Sequence, residues 1–211
     1  MADNYLEKKY EEVFGGKTSS KSPKWASLST LLKKNRSFRG YDTRVEVSES
    51  QLKSIVSGNT RTASARNLQR LRFSLVTGAS GVGTVLENVT MGAGLKELGL
   101  PLSGTEPRAF IIVCSAAEED SELMIDLGIS LQSMLLRAVD LGLGGLIIRC
   151  FNREAIKKGL GLGLTPLAVL AIGKPAERIE LLTVREGESL AYYRKDGIHY
   201  VPKIDVQDLL L

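Results

Sequence analysis

One stretch limits the possible folds more than any other: from Glu122 to Leu141, leucine or valine recurs at Leu123, Leu127, Leu131, Leu135 and Val139 before Gly142 offers a stop. A stripe sustained for over five turns predicts a long helix with one face buried, the central helix of the chain. Around it lie short apolar runs with the length and β-branched content of buried strands: Ala109 to Cys114, Leu146 to Ile148, and Leu167 to Ile172 ending at Gly173-Lys174-Pro175. Leu71 to Val76 alternates apolar and polar side chains, as a half-buried strand does. Strands alternating with helices argue for an α+β or α/β three-layer fold.

The flanking helices are legible from their ends. Ser48-Glu49-Ser50-Gln51 has the form of a capping box and predicts a helix reaching about Ser57, stopped by Gly58-Asn59. Trp25 to about Lys34 places Leu28, Leu31 and Leu32 on one face, and Glu154 to Leu160 reads as a short helix. Leu6, Tyr10, Val13 and Phe14 predict an N-terminal helix, followed by a Ser/Lys/Pro linker to residue 24. Beyond Pro175 the pattern loosens.

With 211 residues and 43% hydrophobic content, the chain fits a single domain over 1–211. A net charge of +4, with no block of like charges, argues against nucleic acid as a partner. Cys114 and Cys150 are the only cysteines, too few for a disulfide framework. Residues 1–14 lack the apolar segment of a signal peptide and no later run is long enough to span a membrane, so a cytoplasmic protein is expected.

Two polar segments carry the functional argument. Asn35-Arg36-Ser37-Phe38-Arg39 offers two guanidiniums and a hydroxyl, and Ala63-Ser64-Ala65-Arg66-Asn67-Leu68-Gln69 offers a hydroxyl and two amides. Together they can hold a phosphate at one end and a polar heterocycle at the other. Taken singly they also read as solvated arginines after a helix and an ordinary polar loop.

In order and spacing these segments resemble the nitroreductase family, whose R-R-S-x-R and P-S-x-x-N-x-Q-P-W runs both bind flavin mononucleotide (FMN). The resemblance runs from about Leu28 to Lys203. It implies a nitroreductase-like three-layer α/β/α fold with a central mixed sheet. It also implies an FMN-dependent oxidoreductase that takes hydride from NAD(P)H and passes it to a nitroaromatic, quinone or similar acceptor. The catalytic chemistry would belong to the flavin, and no metal is implied.

By the same resemblance, Arg36 and Ser37 would lie near the phosphate and Arg39 near the pyrimidine edge. Ser64, Asn67 and Gln69 would contact the ring, and the backbone of Arg149 and Cys150 would face it. Lys203 would complete the phosphate site. Cys150 reads either as a flavin-adjacent thiol or as a small buried filler. The family's dimeric sites imply a homodimer, with residues 176–211 packing on the partner subunit. Asn35 replaces the family's first arginine, Ala63 and Arg70 replace prolines, Arg66 a common glycine and Leu71 a tryptophan, while Ile204 and Asp205 leave Lys203 without its usual arginine neighbour. Phosphate affinity is the property these departures weaken, unless Arg66, Arg70 or Arg149 supplies the charge.

Two other readings follow from the residues. A flavin-binding module with little turnover would suit the altered phosphate positions. Leu75 to Gly83 resembles a dinucleotide-binding glycine turn, but its spacing is one residue off and no Tyr-x-x-x-Lys follows, so it is read as a turn between elements. His199, the only histidine, has no nucleophile elbow to serve. The acidic residues Glu118 to Glu122 are placed to complement the long helix's dipole.

Overall fold

A computed structural model describes residues 26–92, 94 and 98–211. The helix and linker expected over 1–24 lie outside the described residues. Strands β1 (Leu71–Val76), β2 (Ala109–Ser115), β3 (Gly144–Ile148) and β4 (Thr165–Gly173) form one sheet in the order β1-β2-β4-β3. Helices α1 (Leu28–Lys34), α2 (Glu49–Ser57), α3 (Ala79–Leu86), α4 (Ser121–Asp140) and α5 (Arg153–Gly159) surround it.

The sheet is covered on both faces, and period-2 alternation sorts the side chains. Ile111 and Val113 join Leu52 and Ile55 of α2 and Leu123, Leu127 and Leu131 of α4 in one core cluster. Phe110, Ile112 and Cys114 turn the other way, towards Val85 of α3 and Ile156 of α5. All seven residues of β2 are buried, which is why this strand reads as an unbroken apolar run. The result is the expected α/β/α layering.

All three ladders of this sheet are antiparallel. The mixed character expected of it is confined to a single parallel bridge, Ser37 to Gly145, at the β3 edge. Antiparallel pairing of β1 with β2 also removes the dinucleotide reading. Gly78, at φ +83°, only turns the chain from β1 into α3, and the parallel crossover which that motif needs does not follow.

The capping box forms as expected: the Ser48 hydroxyl accepts from the Gln51 amide at 3.2 Å, and Gln51 Oε1 accepts from the Ser48 amide at 2.9 Å. Asp120 caps α4 by accepting from the Leu123 amide at 2.6 Å, and Gly142 at φ +75° lets the chain leave its far end. Helix α1 has no buried residue, and Leu28 and Leu32 of its apolar face are exposed.

The region past Pro175 is more ordered than its pattern suggests. Strands β5 (Arg178–Val184), β6 (Tyr193–Lys195) and β7 (Ile198–Ile204) make a second sheet in the order β5-β7-β6, with β5 and β7 parallel. Ile179 packs against the Phe38 and Tyr41 cluster of the same chain. The extension therefore folds onto its own domain before any partner is considered.

Candidate functional site

The segment after α1 is locked to the main sheet by its apolar residues, which leaves its polar ones free for other work. Phe38 is buried, and its amide donates to the Gly145 carbonyl at 3.1 Å. Tyr41 is fully enclosed, and its hydroxyl donates to the Phe38 carbonyl at 2.8 Å. Gly144 makes this approach possible, because a Cβ there would stand 2.6 Å from the Phe38 ring. Burial, with Glu177 adding to it, pushes the Tyr41 phenol far above its usual range and keeps it a neutral donor.

Arg36, Ser37 and Arg39 then line a cavity of about 390 Å³ together with Lys203, and among the described residues no carboxylate lines it. Its other walls come from α4 (Gln132, Leu135), the exposed Ile147 of β3, the second sheet (Ile179, Leu181, His199, Val201) and Tyr192, just before β6. Three cations around one concavity, with no acid among the described lining residues, suit an anion. Arg39 donates to the Ser37 carbonyl at 3.0 Å and lies 5.3 Å from the centre of the Tyr192 ring, a cation–π contact. Its Nε is buried without a partner among the described residues. Arg36 is partly committed elsewhere, since its Nη2 donates to the Leu32 and Lys33 carbonyls at the end of α1. Burial lowers the Arg36 pKa from its ordinary value.

His199 is a residue that the motif reasoning missed. It is 3% exposed and tilts against Tyr192 at 5.3 Å. Burial, then the guanidiniums of Arg39 and Arg194, pull its pKa down to about 4, so the imidazole is neutral at pH 7. The signal was present in the spacing: His199, Val201 and Lys203 stand at i, i+2 and i+4, one face of a strand, and all three line the cavity.

Ser64 and Gln69 line a different cavity, with Thr62, Arg70, Asp126 and Ser130. The two segments expected to converge are thus divided between two concavities of one chain. Helix α4 is the physical reason: at about 100° of turn per residue, Asp126 and Ser130 project on roughly the opposite side from Gln132 and Leu135.

The Ser64 loop is a short 3₁₀ turn, Ala65–Asn67, with Arg66, Asn67 and Gln69 all at positive φ. Gln69 Nε2 donates to Asn67 Oδ1 at 3.1 Å, so these exposed amides pair with each other. Asn67 lines neither cavity.

The remaining candidates stand apart. Arg149 is exposed and donates to the Leu167 carbonyl at 3.0 Å. Cys150 is exposed, which overturns the reading of a buried filler. Neither Arg66 nor Arg70 lines the cationic cavity of its own chain, and they are paired instead with Glu122 at 2.5 Å and Asp120 at 2.7 Å. The bond from Arg70, with that from the Leu123 amide, holds the Asp120 carboxyl down to about 2. Asp120 and Glu122 are therefore committed to α4's cap and to their arginine partners.

Comparison with known proteins adds the lineage. The family described as "Nitroreductase family" matches residues 32–174. No curated protein matched. Among solved structures, a nitroreductase family protein from Clostridium difficile 630 superposes with a TM-score of 0.57 at 20% identity, covering 72% of this chain and 86% of that one. The FMN and NADPH-dependent nitroreductase NfnB of sphigopyxis sp. strain HMH gives 0.58 at 20% identity, covering 71% and 89%. A nitroreductase-type protein from Exiguobacterium sibiricum 255-15, solved in complex with FMN, gives 0.58 at 19% identity, covering 72% and 90%. At these identities the likeness speaks for the fold.

Proposed function

Because the chain belongs to the nitroreductase family, we propose that it is an FMN-dependent oxidoreductase that uses NAD(P)H to reduce nitroaromatic, quinone or similar acceptors, working as a homodimer. The observation that carries this reading is the cavity with Arg36, Arg39 and Lys203 on its walls and no carboxylate among its described lining residues. A dianionic phosphate fits such a donor set, and the buried Arg39 Nε is a donor with no acceptor among the described residues. When bound, FMN supplies the two-electron chemistry, taking hydride from the nicotinamide and passing it to the acceptor.

The side chains bind and orient. Lys203, Arg36 and the Ser37 hydroxyl hold the phosphate, while Arg39, braced by Tyr192, places positive charge where the reduced ring gathers electron density. Neutral His199 adds polarity to that wall without adding charge. The Ser64, Asn67 and Gln69 set comes from a second copy, which accounts for its separation from Arg39 within one chain. Leu28, Leu32, Ile125 and Ile129 are exposed apolar residues on α1 and α4, two helices in contact with each other. On α4, Ile125 and Ile129 fall beside Gln132 of the cationic cavity, so a second copy covering this stripe brings its own loop to the cavity's edge.

The test is optical. Purified protein supplied with FMN is expected to bind it, turn yellow, and bleach on anaerobic addition of NADH or NADPH. The Arg36→Ala/Lys203→Ala double variant removes two phosphate pairs of roughly 1.5–3 kcal/mol each, so its flavin affinity is expected to fall by at least about a hundredfold. Yellow protein that fails to bleach would replace turnover with sequestration. Protein that takes up no FMN would end the reading.

A further inference from the structure

The Ser64-side cavity holds two buried polar atoms that no described residue satisfies. Asp126 is 4% exposed; its Oδ1 accepts from the Ala65 amide at 2.8 Å, while its Oδ2 is buried with no partner among the described residues. Arg70 spends both terminal nitrogens on Asp120, at 2.7 and 3.1 Å, and its Nε is likewise buried and unpaired. Both side chains line the same concavity of about 350 Å³. They are near enough for the Asp126 charge to raise the Arg70 pKa, yet no hydrogen bond joins them. One orphaned acceptor and one orphaned donor therefore share a cavity, and leaving such groups unmet is costly.

We propose that this cavity binds a small, neutral, aromatic molecule carrying a hydrogen-bond donor beside an acceptor, a primary carboxamide being the simplest case. The carboxamide N–H donates to Asp126 Oδ2, and its carbonyl accepts from Arg70 Nε. The aromatic body lies against Val56, Leu71 and Phe73 of the same lining. Charge selects the neutral form: Lys53, Arg70 and Arg72 disfavour a cation, and Asp126 disfavours a carboxylate. Size permits it, because a cavity of about 150 Å³ already holds benzene. The site goes beyond the flavin reading and does not require it.

The full-length protein, without flavin, is titrated by calorimetry with benzamide, N,N-dimethylbenzamide and benzamidine. Benzamide is expected to bind at least about tenfold tighter than the dimethylated probe, which has lost the donor, and than the cationic one. Asp126→Asn tests the acceptor directly. The Ala65 amide holds the side-chain oxygen towards itself, so an NH₂ replaces Oδ2, and benzamide affinity is expected to fall about tenfold with the thermal midpoint little changed. Equal binding of the three probes, or preference for benzamidine, overturns the proposal, and the comparison stands whether or not the variant folds. Undiminished benzamide binding by folded Asp126→Asn also overturns it. Ser64 and Gln69 border this cavity and also belong to the proposed flavin contact, whereas Asp126 and Arg70 do not. With FMN saturating, benzamide affinity should therefore hold; competition would fold this cavity into the cofactor site and end the claim of a separate one. Protein that binds benzamide selectively but takes up no FMN supports this site while ending the flavin reading.

Discussion

Glu177 ties Arg194 to the Arg39 segment: one carboxylate oxygen pairs with the Arg194 guanidinium, and the other accepts the amides of Arg39 and Gly40. This carboxylate, with its side chain only 9% exposed, links the C-terminal sheet to the backbone that presents Arg39 to the cavity. Removing it leaves a largely buried guanidinium and two amides unmatched. Glu177→Ala is expected to lose about 3 kcal/mol of stability, read by urea unfolding. Flavin affinity should fall about tenfold, because Arg39 is no longer held. A loss under about 0.5 kcal/mol would mean that the link is ornamental.

Acid sensitivity follows from His199. Its folded pKa, about 4, lies below the value near 6.5 of an exposed imidazole. Between these values the unfolded chain binds a proton that the folded one refuses, so the contribution is whole above 6.5 and is lost as pH falls towards 4. The thermal midpoint should fall by several degrees across that window. His199→Phe should flatten the slope there, whereas the losses due to Asp42 and Asp120, whose carboxyls are held down to about 2, begin at lower pH. An unchanged slope in the variant would remove His199 from the account.

Arg66 sits at φ +50° in the Ser64 loop, a conformation that costs a side-chain-bearing residue roughly 1–2 kcal/mol. What it gains is the exposed Glu122 pair, worth at most about 1 kcal/mol. Arg66→Gly should be neutral to stabilising, by up to about 1 kcal/mol. A clear loss of stability in urea would show that the ion pair outweighs the strain.

The parts of the fold that could be read in advance are those fixed by local chemistry. The α4 stripe, the Ser48 capping box and the buried β2 and β4 runs each carry their own signal, so they formed where the pattern placed them. The second sheet carries little: β5 alternates between exposed and half-buried residues, and its order comes from pairing with β7, which begins fourteen residues after β5 ends. The site divided along the same line. Arg36, Ser37, Arg39 and Lys203 were singled out by their motifs and line one cavity, but the partition between two cavities depends on α4's azimuth, and Glu177 and His199 reach this region only through long-range contacts. Asn35 Oδ1, buried beside the cations with no partner among the described residues, has no structural explanation.

Ile125 stands 63% exposed on α4 beside Ile129, an unusual position for a large aliphatic residue on a core helix. If a second copy covers it, Ile125→Glu should give monomers by sedimentation. Because the change points to solvent in the single chain, the fold should survive. Flavin retention should fall with the dimer; a dimeric, fully yellow variant would place the interface elsewhere.

The division of site residues between two cavities makes a stricter test possible. One variant, Arg39→Ala/Lys203→Ala, damages the cationic cavity, and another, Ser64→Ala/Asn67→Ala, damages the loop. In a homodimer with sites shared between copies, each variant alone spoils both sites. A mixed dimer places both defects in one site and leaves the other intact, so mixing unfolded chains and refolding them together should recover up to about a quarter of native flavin sites, since half the dimers are hybrids with one good site each. Sites built within single chains would give no recovery at all, because every chain in the mixture carries a damaged half. Flavin fluorescence quenching across a series of mixing ratios separates the two cases, with recovery peaking at equal amounts only if the copies share their sites.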